Sequence, residues 1–311
     1  NGSTLSVALF TNLSHDHLDY HGNMQAYAAT KARLFHWDGL KYAVLNFDDV
    51  FSVELTKQLT GRATNIIGYG FEELAIKERD PKLFKMVHGR NLRVSSQGLE
   101  FDVVFEGERI KVKTALIGEF NASNLLAVLS TLLACGLSLS DAVKSLQEIQ
   151  PIPGRMEKFG GGNLPLVVID FAHTPEALEK TLIALRVVIN SAKDISKIKN
   201  KKSKLICIFG CGGDRDQDKR AFMGKIATEL SDETIITSDN PRNEDPSSII
   251  NEIVSGADIN YLVQENREAA IRRGLYGAHK GDIILIAGKG HEIYQEIGKK
   301  RFPFSDAKVV R

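Results

Sequence analysis

Cysteine is scarce in this sequence of 311 residues, which contains only Cys135, Cys207 and Cys211. An odd number of cysteines without metal-ligand spacing predicts neither a disulfide framework nor a zinc site. The sequence also lacks an apolar stretch long enough to span a bilayer, and it lacks a basic, then apolar leader at its start. We therefore expect a soluble, unsecreted protein of the reducing cytoplasm.

An excess of charge of either sign is also absent. The 40 lysine and arginine residues nearly cancel the 39 aspartate and glutamate residues, so the composition indicates neither a nucleic-acid-binding surface nor attraction to an anionic membrane. A small, multiply charged substrate is compatible with this composition. Because 43% of the residues are hydrophobic, the chain is long enough for two domains that each bury a core.

Residues 151–154 predict a linker, because two prolines and a glycine suit neither a helix nor a strand. We therefore place one domain at residues 1–152 and a second at residues 153–311. In the second domain, buried strands alternate with helical segments, which is typical of an α/β fold with a doubly wound parallel sheet. The predicted strands are residues 166–169, 205–209, 234–237 and 283–287.

A lysine on an apolar helix face is the most informative residue of the first domain. Apolar spacing predicts a helix over residues 23–35 with Asn23 as its N-cap, and Lys31 falls on the apolar side. Because an isolated buried charge is very unfavourable, the Lys31 ammonium must extend to water, pair, or lose its charge. The loop before this helix is rich in residue types that suit a metal or phosphate site, and also surface turns. These are His15, Asp16, His17, Asp19 and His21.

Charged or glycine-rich clusters follow all four predicted strands of the second domain. They are residues 170–173, 210–215, 239–242 and 288–292. In an open parallel sheet, ligands bind beyond the carboxyl ends of the strands. Loops shaped by turn chemistry alone seldom carry this mixture of residues. We therefore expect a ligand site at this edge of the sheet.

The glycines after the second of these strands allow two interpretations. Gly210 and Gly212 match the start of the dinucleotide-binding motif G-x-G-x-x-G, but Arg215 stands in place of the third glycine. Close packing of the following helix needs that glycine, so the match to an oxidoreductase is incomplete. The same glycines could instead bring backbone N–H groups close to an anion.

A series of motifs resembles those of the Mur ligases, a family of ATP-dependent ligases of peptidoglycan synthesis. In chain order they are FTNLSHDHLDYHG from Phe10, the lysine at Lys31, GEFNASN from Gly118, GRMEKF from Gly154, DFAHTPEAL from Asp170, FGCGGDRDQDKR from Phe209, DNPRNEDP from Asp239 and GKGHE from Gly288. The resemblance covers essentially the whole chain. It implies part of a central ATP-binding domain, followed by a Rossmann-like domain that binds the incoming amino acid.

The resemblance also implies a reaction and its cofactors. ATP would phosphorylate the D-glutamate carboxylate of UDP-N-acetylmuramoyl-L-alanyl-D-glutamate, and the amine of meso-diaminopimelate would attack the acyl phosphate. Lys31, as a carbamate, and His17 would serve catalysis by holding Mg²⁺. The residues expected to contact ATP are Asn121, Asn124, Arg155, Asp170 and His173. We expect a monomer that acts on small molecules.

The amino acid pocket follows from the same resemblance. Meso-diaminopimelate carries a distal carboxylate that lysine lacks, and a guanidinium binds a carboxylate through two parallel hydrogen bonds. Arg242 marks this specificity in the family. The other residues assigned to the pocket are Arg215, Asp239, Asn240, Gly288 and Glu292. Of these, Asp239 and Glu292 suit an ammonium.

Several family features are not in this sequence. The domain that binds the UDP-sugar, the phosphate-binding P-loop and a glutamate for magnesium would all precede Phe10. We therefore expect a fragment that does not turn over alone. Alternatives are a ligase that adds lysine, a folylpolyglutamate synthetase, the oxidoreductase, and a non-catalytic module that binds amino acids. The first two would lack Arg242 in its present context.

Overall fold

The computed structural model describes residues 4–13, 23–72, 83–193 and 202–311. The chain divides into two units. The first comprises residues 1–93, 99–114 and 119–149, and the second comprises residues 94–98, 115–118 and 150–311. The last change from the first unit to the second therefore falls just before the predicted linker.

The first unit is built on a six-stranded sheet in the order β1-β2-β3-β4-β5-β6. Its strands are β1 (Val7–Phe10), β2 (Tyr42–Asn46), β3 (Asn65–Gly70), β4 (Phe84–Val94), β5 (Leu99–Phe105) and β6 (Glu108–Thr114). Strands β1 to β4 are parallel, and β5 and β6 form an antiparallel pair. The described helices are α1 (Met24–Ala32), a 3₁₀ turn (Arg33–His36), α2 (Phe51–Leu59), α3 (Glu119–Ala134) and α4 (Leu139–Gln147).

The helix predicted over residues 23–35 forms in two pieces, because the α-helix ends at Ala32 and a 3₁₀ turn continues it. Asn23 is confirmed as the N-cap, since its side chain accepts the Ala26 N–H at 2.9 Å. The largely apolar residues 5–10 are typical of a buried strand, but the structure differs from this pattern in extent and burial. Strand β1 starts at Val7, and Leu9 is 38% exposed, because successive side chains point to opposite faces of the sheet.

The second unit contains a six-stranded sheet in the order β11-β10-β9-β12-β8-β7. Its strands are β7 (Glu157–Gly160), β8 (Leu166–Asp170), β9 (Leu205–Phe209), β10 (Glu233–Ile236), β11 (Tyr261–Val263) and β12 (Ile283–Ala287). All neighbours are parallel except β7, which runs antiparallel to β8. Because β12 lies between β9 and β8, the carboxyl ends of these three strands adjoin at one edge.

Helices cover both faces of the second sheet, as a doubly wound fold requires. They are α5 (Pro175–Lys193), α6 (Lys219–Leu230), α7 (Pro246–Val254), α8 (Arg267–Gly277) and α9 (Asp306–Val310). Helices α5, α6 and α7 pack in succession, whereas α8 and α9 cover the cluster formed by Val167, Ile208 and Ile284. A hairpin of β13 (Tyr294–Ile297) and β14 (Lys300–Pro303) follows β12. The predicted α/β class with a doubly wound second domain is confirmed.

Side-chain caps fix the first turns of two helices and so position the loops that precede them. Thr174 caps α5 by accepting the Ala177 N–H at 3.3 Å, and Pro175 is the first helical residue, a position that suits proline. Asp245 caps α7 by accepting the Ser248 N–H at 3.0 Å. No helix within the described ranges is long and apolar enough to cross a membrane.

Candidate active site at the strand ends of the second sheet

The predicted clusters meet at the carboxyl edge of the second sheet. Ala287, the last residue of β12, is in register with Asp170, the last residue of β8. The Gly288 N–H donates to the Asp170 carbonyl at 3.2 Å. Loops that are far apart in the sequence therefore share one edge, as the strand-end rule predicts.

Four of the residues assigned to the amino acid pocket lie together. Asp239 and Asn240 are buried after β10, and the Asn240 side-chain amide donates to Glu292 Oε2 at 2.8 Å. Gly288 has φ +108°, and a Cβ there would lie 2.6 Å from Asp239 Oδ2. Only glycine fits this backbone and this space. The structure thus brings Asp239, Asn240, Gly288 and Glu292 into one cluster, whereas their ligand contacts stay predictions.

Lys289 was not assigned a role from the sequence, yet it lies at the centre of this cluster. Its side chain is fully buried, and Nζ donates to Asn240 Oδ1 at 2.8 Å and to Glu292 Oε2 at 2.9 Å. Asp239 Oδ1 lies 3.6 Å from the same nitrogen. A lysine is rarely fully buried unless it is paired. Its place between two glycines directly after a buried strand was the available signal.

The two carboxylates of the cluster have different electrostatic environments. Burial raises the pKa of Asp239, and the charges of Arg267 and Lys289 oppose this only in part. Burial also acts to raise the pKa of Glu292, but hydrogen bonds from Lys289 and Asn240 outweigh it and lower that pKa. Glu292 is therefore anionic at neutral pH. A bound ammonium would favour the charged form of Asp239 as well.

Arg242 is held by the loops around it. Its Nε donates to Glu296 Oε2 at 3.2 Å, and Nη1 donates to the Gly213 carbonyl at 2.7 Å. The Arg242 backbone adopts φ +51°, and its N–H donates to the Glu296 carbonyl at 3.0 Å. Neither side-chain bond uses Nη2, so the end of the guanidinium keeps donors for a ligand carboxylate.

Arg215 stands apart from this arrangement. It is exposed, and its guanidinium makes a long contact of 3.5 Å with the carbonyl of Asp214. The assignment of Arg215 to the pocket therefore has no support from a contact to the other assigned residues. Arg215 follows the glycine loop, where the Gly213 N–H donates to the Asn240 carbonyl at 2.9 Å. That N–H is used within the protein, which weakens the dinucleotide interpretation.

Asp170 anchors the loops on either side of β8. Its Oδ2 accepts the Met156 N–H and its Oδ1 accepts the Ala172 N–H, both at 2.9 Å. Burial raises the pKa of Asp170, although these two bonds and the charge of Arg155 act in the opposite direction. A carboxylate has about four lone-pair sites, so Asp170 could still accept ribose hydroxyls. Its present contacts show a structural role.

Cationic and aromatic groups surround Phe171, which the sequence did not single out. The Arg155 guanidinium lies 4.7 Å from the centre of the Phe171 ring. The rings of His173 and His291 lie 4.7 and 5.9 Å from it. Arg155 and His173 are exposed, and such a group of cations and rings fits a nucleotide, whose base stacks and whose phosphates are anionic.

Of the predicted site residues of the first unit, the structure describes Lys31, Asn121 and Asn124. Lys31 Nζ donates to the Asn12 carbonyl at 2.8 Å and lies 4.6 Å from the Tyr27 ring centre. Asn121 and Asn124 lie on α3, where the Asn124 amide contacts the Asn121 side-chain oxygen at 3.3 Å. His17 and the other histidines and aspartates of its loop lie outside the described residues.

The described residues do not by themselves form a magnesium site. They contain no group of three or more histidine, cysteine, aspartate or glutamate side chains placed to hold a metal. Lys31 as an amine is a cation and a donor, whereas Mg²⁺ binds oxygen ligands. A carbamate on Lys31 would supply such oxygens. The predicted roles of Lys31 and His17 in metal binding stay predictions.

Sequence profiles of two domains match most of the chain. The Mur ligase middle domain matches residues 2–132, and the Mur ligase glutamate ligase domain matches residues 154–290. The UDP-N-acetylmuramoyl-L-alanyl-D-glutamate–2,6-diaminopimelate ligase of Nitrosomonas europaea is 51% identical over 311 residues, which are 100% of this chain and 60% of the relative. The enzyme of that name from Chromobacterium violaceum is 44% identical, with 100% and 59% covered.

Solved structures show the same relationship. A UDP-N-acetylmuramoyl-L-alanyl-D-glutamate–2,6-diaminopimelate ligase has a TM-score of 0.66 and 35% identity, over 98% of this chain and 59% of its own. The folylpolyglutamate synthase of Thermotoga maritima has a TM-score of 0.61 at 17% identity, over 91% and 57%. The fold is therefore shared by ligases with different substrates. The chain spans about 60% of the length of the curated relatives described above.

Proposed function

Because this chain belongs to the Mur ligase family, we propose that it carries the amino acid pocket of a ligase that adds meso-diaminopimelate to UDP-N-acetylmuramoyl-L-alanyl-D-glutamate with ATP. One observation carries this proposal: two carboxylates, Asp239 and Glu292, lie in one cluster around Lys289, and the charge of the Arg242 guanidinium acts on Glu292. An ammonium and a carboxylate on one ligand match these charges.

The pocket would bind the end of meso-diaminopimelate that does not react. The attacking amine must be unprotonated, whereas Asp239 and Glu292 favour a protonated one. We therefore propose that these carboxylates bind the distal ammonium. Nη2 of Arg242 and its neighbouring guanidinium nitrogen would bind the distal carboxylate. Binding at the distal end would orient the other amine toward the activated carboxyl group. Asn240 and Gly288 line the same pocket, and Arg215 is proposed at its rim.

The group around Phe171 supports a nucleotide contact in the second unit. Arg155 and His173 would meet anionic groups, and Asp170 would accept hydroxyl hydrogens through its remaining lone pairs. Bound ATP supplies the phosphoryl group that activates the D-glutamate carboxyl. Asn121 and Asn124 are proposed as nucleotide contacts from the first unit. We propose Mg²⁺ as the counterion of ATP, with Lys31 and His17 as its ligands.

The remaining aspects of the proposal concern where and how the enzyme works. We propose a cytoplasmic monomer that acts on the two small substrates, without nucleic acid or membrane. The near-neutral charge of the chain gives no reason to expect a polyanionic partner. We also propose that the present chain does not turn over without the upstream segment expected from its relatives.

A ligase assay on the full-length protein tests the proposal. Release of phosphate is measured with ATP, magnesium and the UDP-dipeptide, while meso-diaminopimelate and lysine are offered in parallel. We expect kcat/KM to be higher for meso-diaminopimelate. Equal use of lysine would contradict the assigned substrate, and turnover by the present chain at the full-length rate would contradict the need for the upstream segment.

A further inference from the structure

We infer that Lys289 is a positioning residue of the amino acid pocket, which holds Asn240 and Glu292 in place and neutralises part of the charge of Asp239 and Glu292. The inference deepens the proposed function and rests on it. Lys289 would not touch the substrate. Its ammonium would set the carboxylates in the arrangement that receives a ligand ammonium.

Lys289 connects two loops that are distant in the sequence. Asn240 follows β10 and Glu292 follows β12, and the Lys289 ammonium bonds to both side chains. The Asn240 amide nitrogen also donates to Glu292 Oε2, and its oxygen accepts the Glu296 N–H at 2.9 Å. The three side chains form a closed ring of hydrogen bonds. Such a ring restricts each rotamer more than separate bonds would.

These bonds leave ligand-binding capacity on the carboxylates. Both Lys289 and Asn240 use Oε2 of Glu292, so Oε1 is not engaged by either. Asp239 faces Lys289 through Oδ1, at 3.6 Å. Asp239 Oδ2 packs against Gly288, where a Cβ would lie 2.6 Å from it. Oε1 of Glu292 therefore keeps lone pairs for a ligand ammonium.

The charges of the cluster favour a cationic ligand group. With Asp239 and Glu292 ionised and Lys289 protonated, the three side chains have a net charge of −1. The nearby Arg267 and Asp306 form a fully buried ion pair, in which Arg267 Nε donates to Asp306 at 2.8 Å, and they add no net charge. A ligand ammonium would bring the cluster to neutrality, which is favourable in a buried site.

Without Lys289, the pocket would lose both order and charge compensation. Two close carboxylates without a cation repel each other, and one of them becomes protonated or moves into water. We therefore expect the variant Lys289→Met, which keeps the length of the side chain, to raise KM for meso-diaminopimelate about tenfold or more. KM for ATP should change less than about twofold, because the hydrogen bonds of the Lys289 ammonium go to Asn240 and Glu292 and not to the group around Phe171.

The test measures KM for both substrates and the thermal unfolding temperature in the full-length enzyme. Lys289→Gln keeps a donor for Asn240 or Glu292 without the charge, and we expect its KM for meso-diaminopimelate to lie between wild type and Lys289→Met. The exposed Lys225, which pairs only with Glu229 on its own helix, supplies the matched control Lys225→Met, which should behave as wild type.

The outcomes separate this inference from the proposed function. If wild type does not use meso-diaminopimelate, the proposed function and the inference both fail. If wild type uses it and both Lys289 variants keep its KM, the inference alone is overturned. Equal increases of KM for ATP and for meso-diaminopimelate, or loss of folding in both variants, would also overturn it, because Lys289 would then serve the fold and not the pocket.

Discussion

The predicted site residues of the two units are held in different ways. In the second unit, Asp239 and Asn240 are buried, and Asn240, Lys289 and Glu292 form a ring of hydrogen bonds. In the first unit, Lys31 is half-buried and its ammonium donates to one backbone carbonyl. The proposed amino acid pocket is thus ordered by the chain itself, which would lower the cost of binding. The described residues of the first unit do not fix a ligand geometry in this way.

Buried ion pairs lie near the pocket of the second unit and extend this difference. Arg267 is fully buried against Asp306, and Arg220 is fully buried against Glu244 and Glu252. Arg220 Nη2 also donates to the Gly212 carbonyl at 3.3 Å. Buried ion pairs add little net stability, but breaking one leaves an uncompensated charge. They therefore restrict the loops that carry the site to one arrangement.

The largest effect is expected at Lys31, and it tests the difference between the two units described above. If Lys31 acts as a carbamate, Lys31→Ala in the full-length enzyme should lower kcat by about two orders of magnitude or more, because a ligand of the charge-stabilising metal is lost. Short carboxylic acids added to the assay should partly restore the rate. Activity is followed by phosphate release.

The exposed Lys57 on α2 provides the control Lys57→Ala, which should keep normal activity. A fully active Lys31→Ala variant would show that Lys31 only extends its ammonium to the Asn12 carbonyl and the Tyr27 ring. Lys31 would then have no role in catalysis.

The second largest effect is expected at the buried ion pair of Arg267 and Asp306 near the proposed pocket. Arg267→Met should lower the free energy of unfolding by about 3 to 5 kcal/mol, because it leaves Asp306 buried without its partner. Urea denaturation of this chain measures the change. In the control Arg272→Met, the exposed pair with Glu268 on the same helix is lost, at a cost of about 0.5 kcal/mol or less.

The double variant Arg267→Met with Asp306→Leu sharpens this test. Because apolar residues can replace a buried ion pair without loss, we expect it to recover most of the stability. Equal losses in the single and the double variant would mean that packing, and not charge, explains the role of Arg267.

Arg242→Ala should change substrate preference. Removing one partner of a desolvated charge pair costs about 2 to 5 kcal/mol, so kcat/KM for meso-diaminopimelate should fall roughly thirtyfold or more. Lysine has no distal carboxylate, and its weak use should fall little or rise. The ratio of the two values in the full-length enzyme is the quantity to measure.

Arg301 also faces Glu296, at 3.9 Å, and Arg301→Ala is the matched control that should leave the ratio unchanged. Because Arg242 also bonds to Glu296 and Gly213, its loss could loosen the loops. A proportional fall for both amino acids would identify that structural role and contradict selection by Arg242.

The parts of the fold that the sequence revealed are those with strong local signals. Strands β9 and β12 were predicted at their exact bounds, because strands in a parallel sheet are continuous apolar runs. Short or exposed strands gave no such run, and β7, β11 and the β13–β14 hairpin were not predicted. Helix α2 and strand β3 were also not indicated, although both contribute buried side chains to the core.

The sequence indicated where the candidate site lies, but not the hydrogen bonds that connect its residues. Strand ends located Asp239 and Glu292, because parallel strands bring their carboxyl ends together. The role of Lys289 was not found, because its burial depends on a partner 49 residues away, Asn240. Contacts between distant loops have no local signal in the sequence. The assigned ligand contacts, including that of His17, remain predictions.

The smallest effect is expected at Asp245, which lies in the same motif as the proposed pocket residues. Within DNPRNEDP, Asp239, Asn240 and Arg242 are proposed pocket residues, whereas Asp245 caps α7 by accepting from the backbone and the hydroxyl of Ser248. Asp245→Ala should lower the free energy of unfolding by about 1 kcal/mol through loss of this cap. Asp245→Asn should retain most of it, because asparagine caps helices as well as aspartate does. Both variants should keep the preference for meso-diaminopimelate over lysine within about twofold, since a cap adds no charge to the pocket. Urea denaturation and the two-substrate assay measure these quantities. A shift in preference without a loss of stability would contradict the division of the motif into pocket and cap.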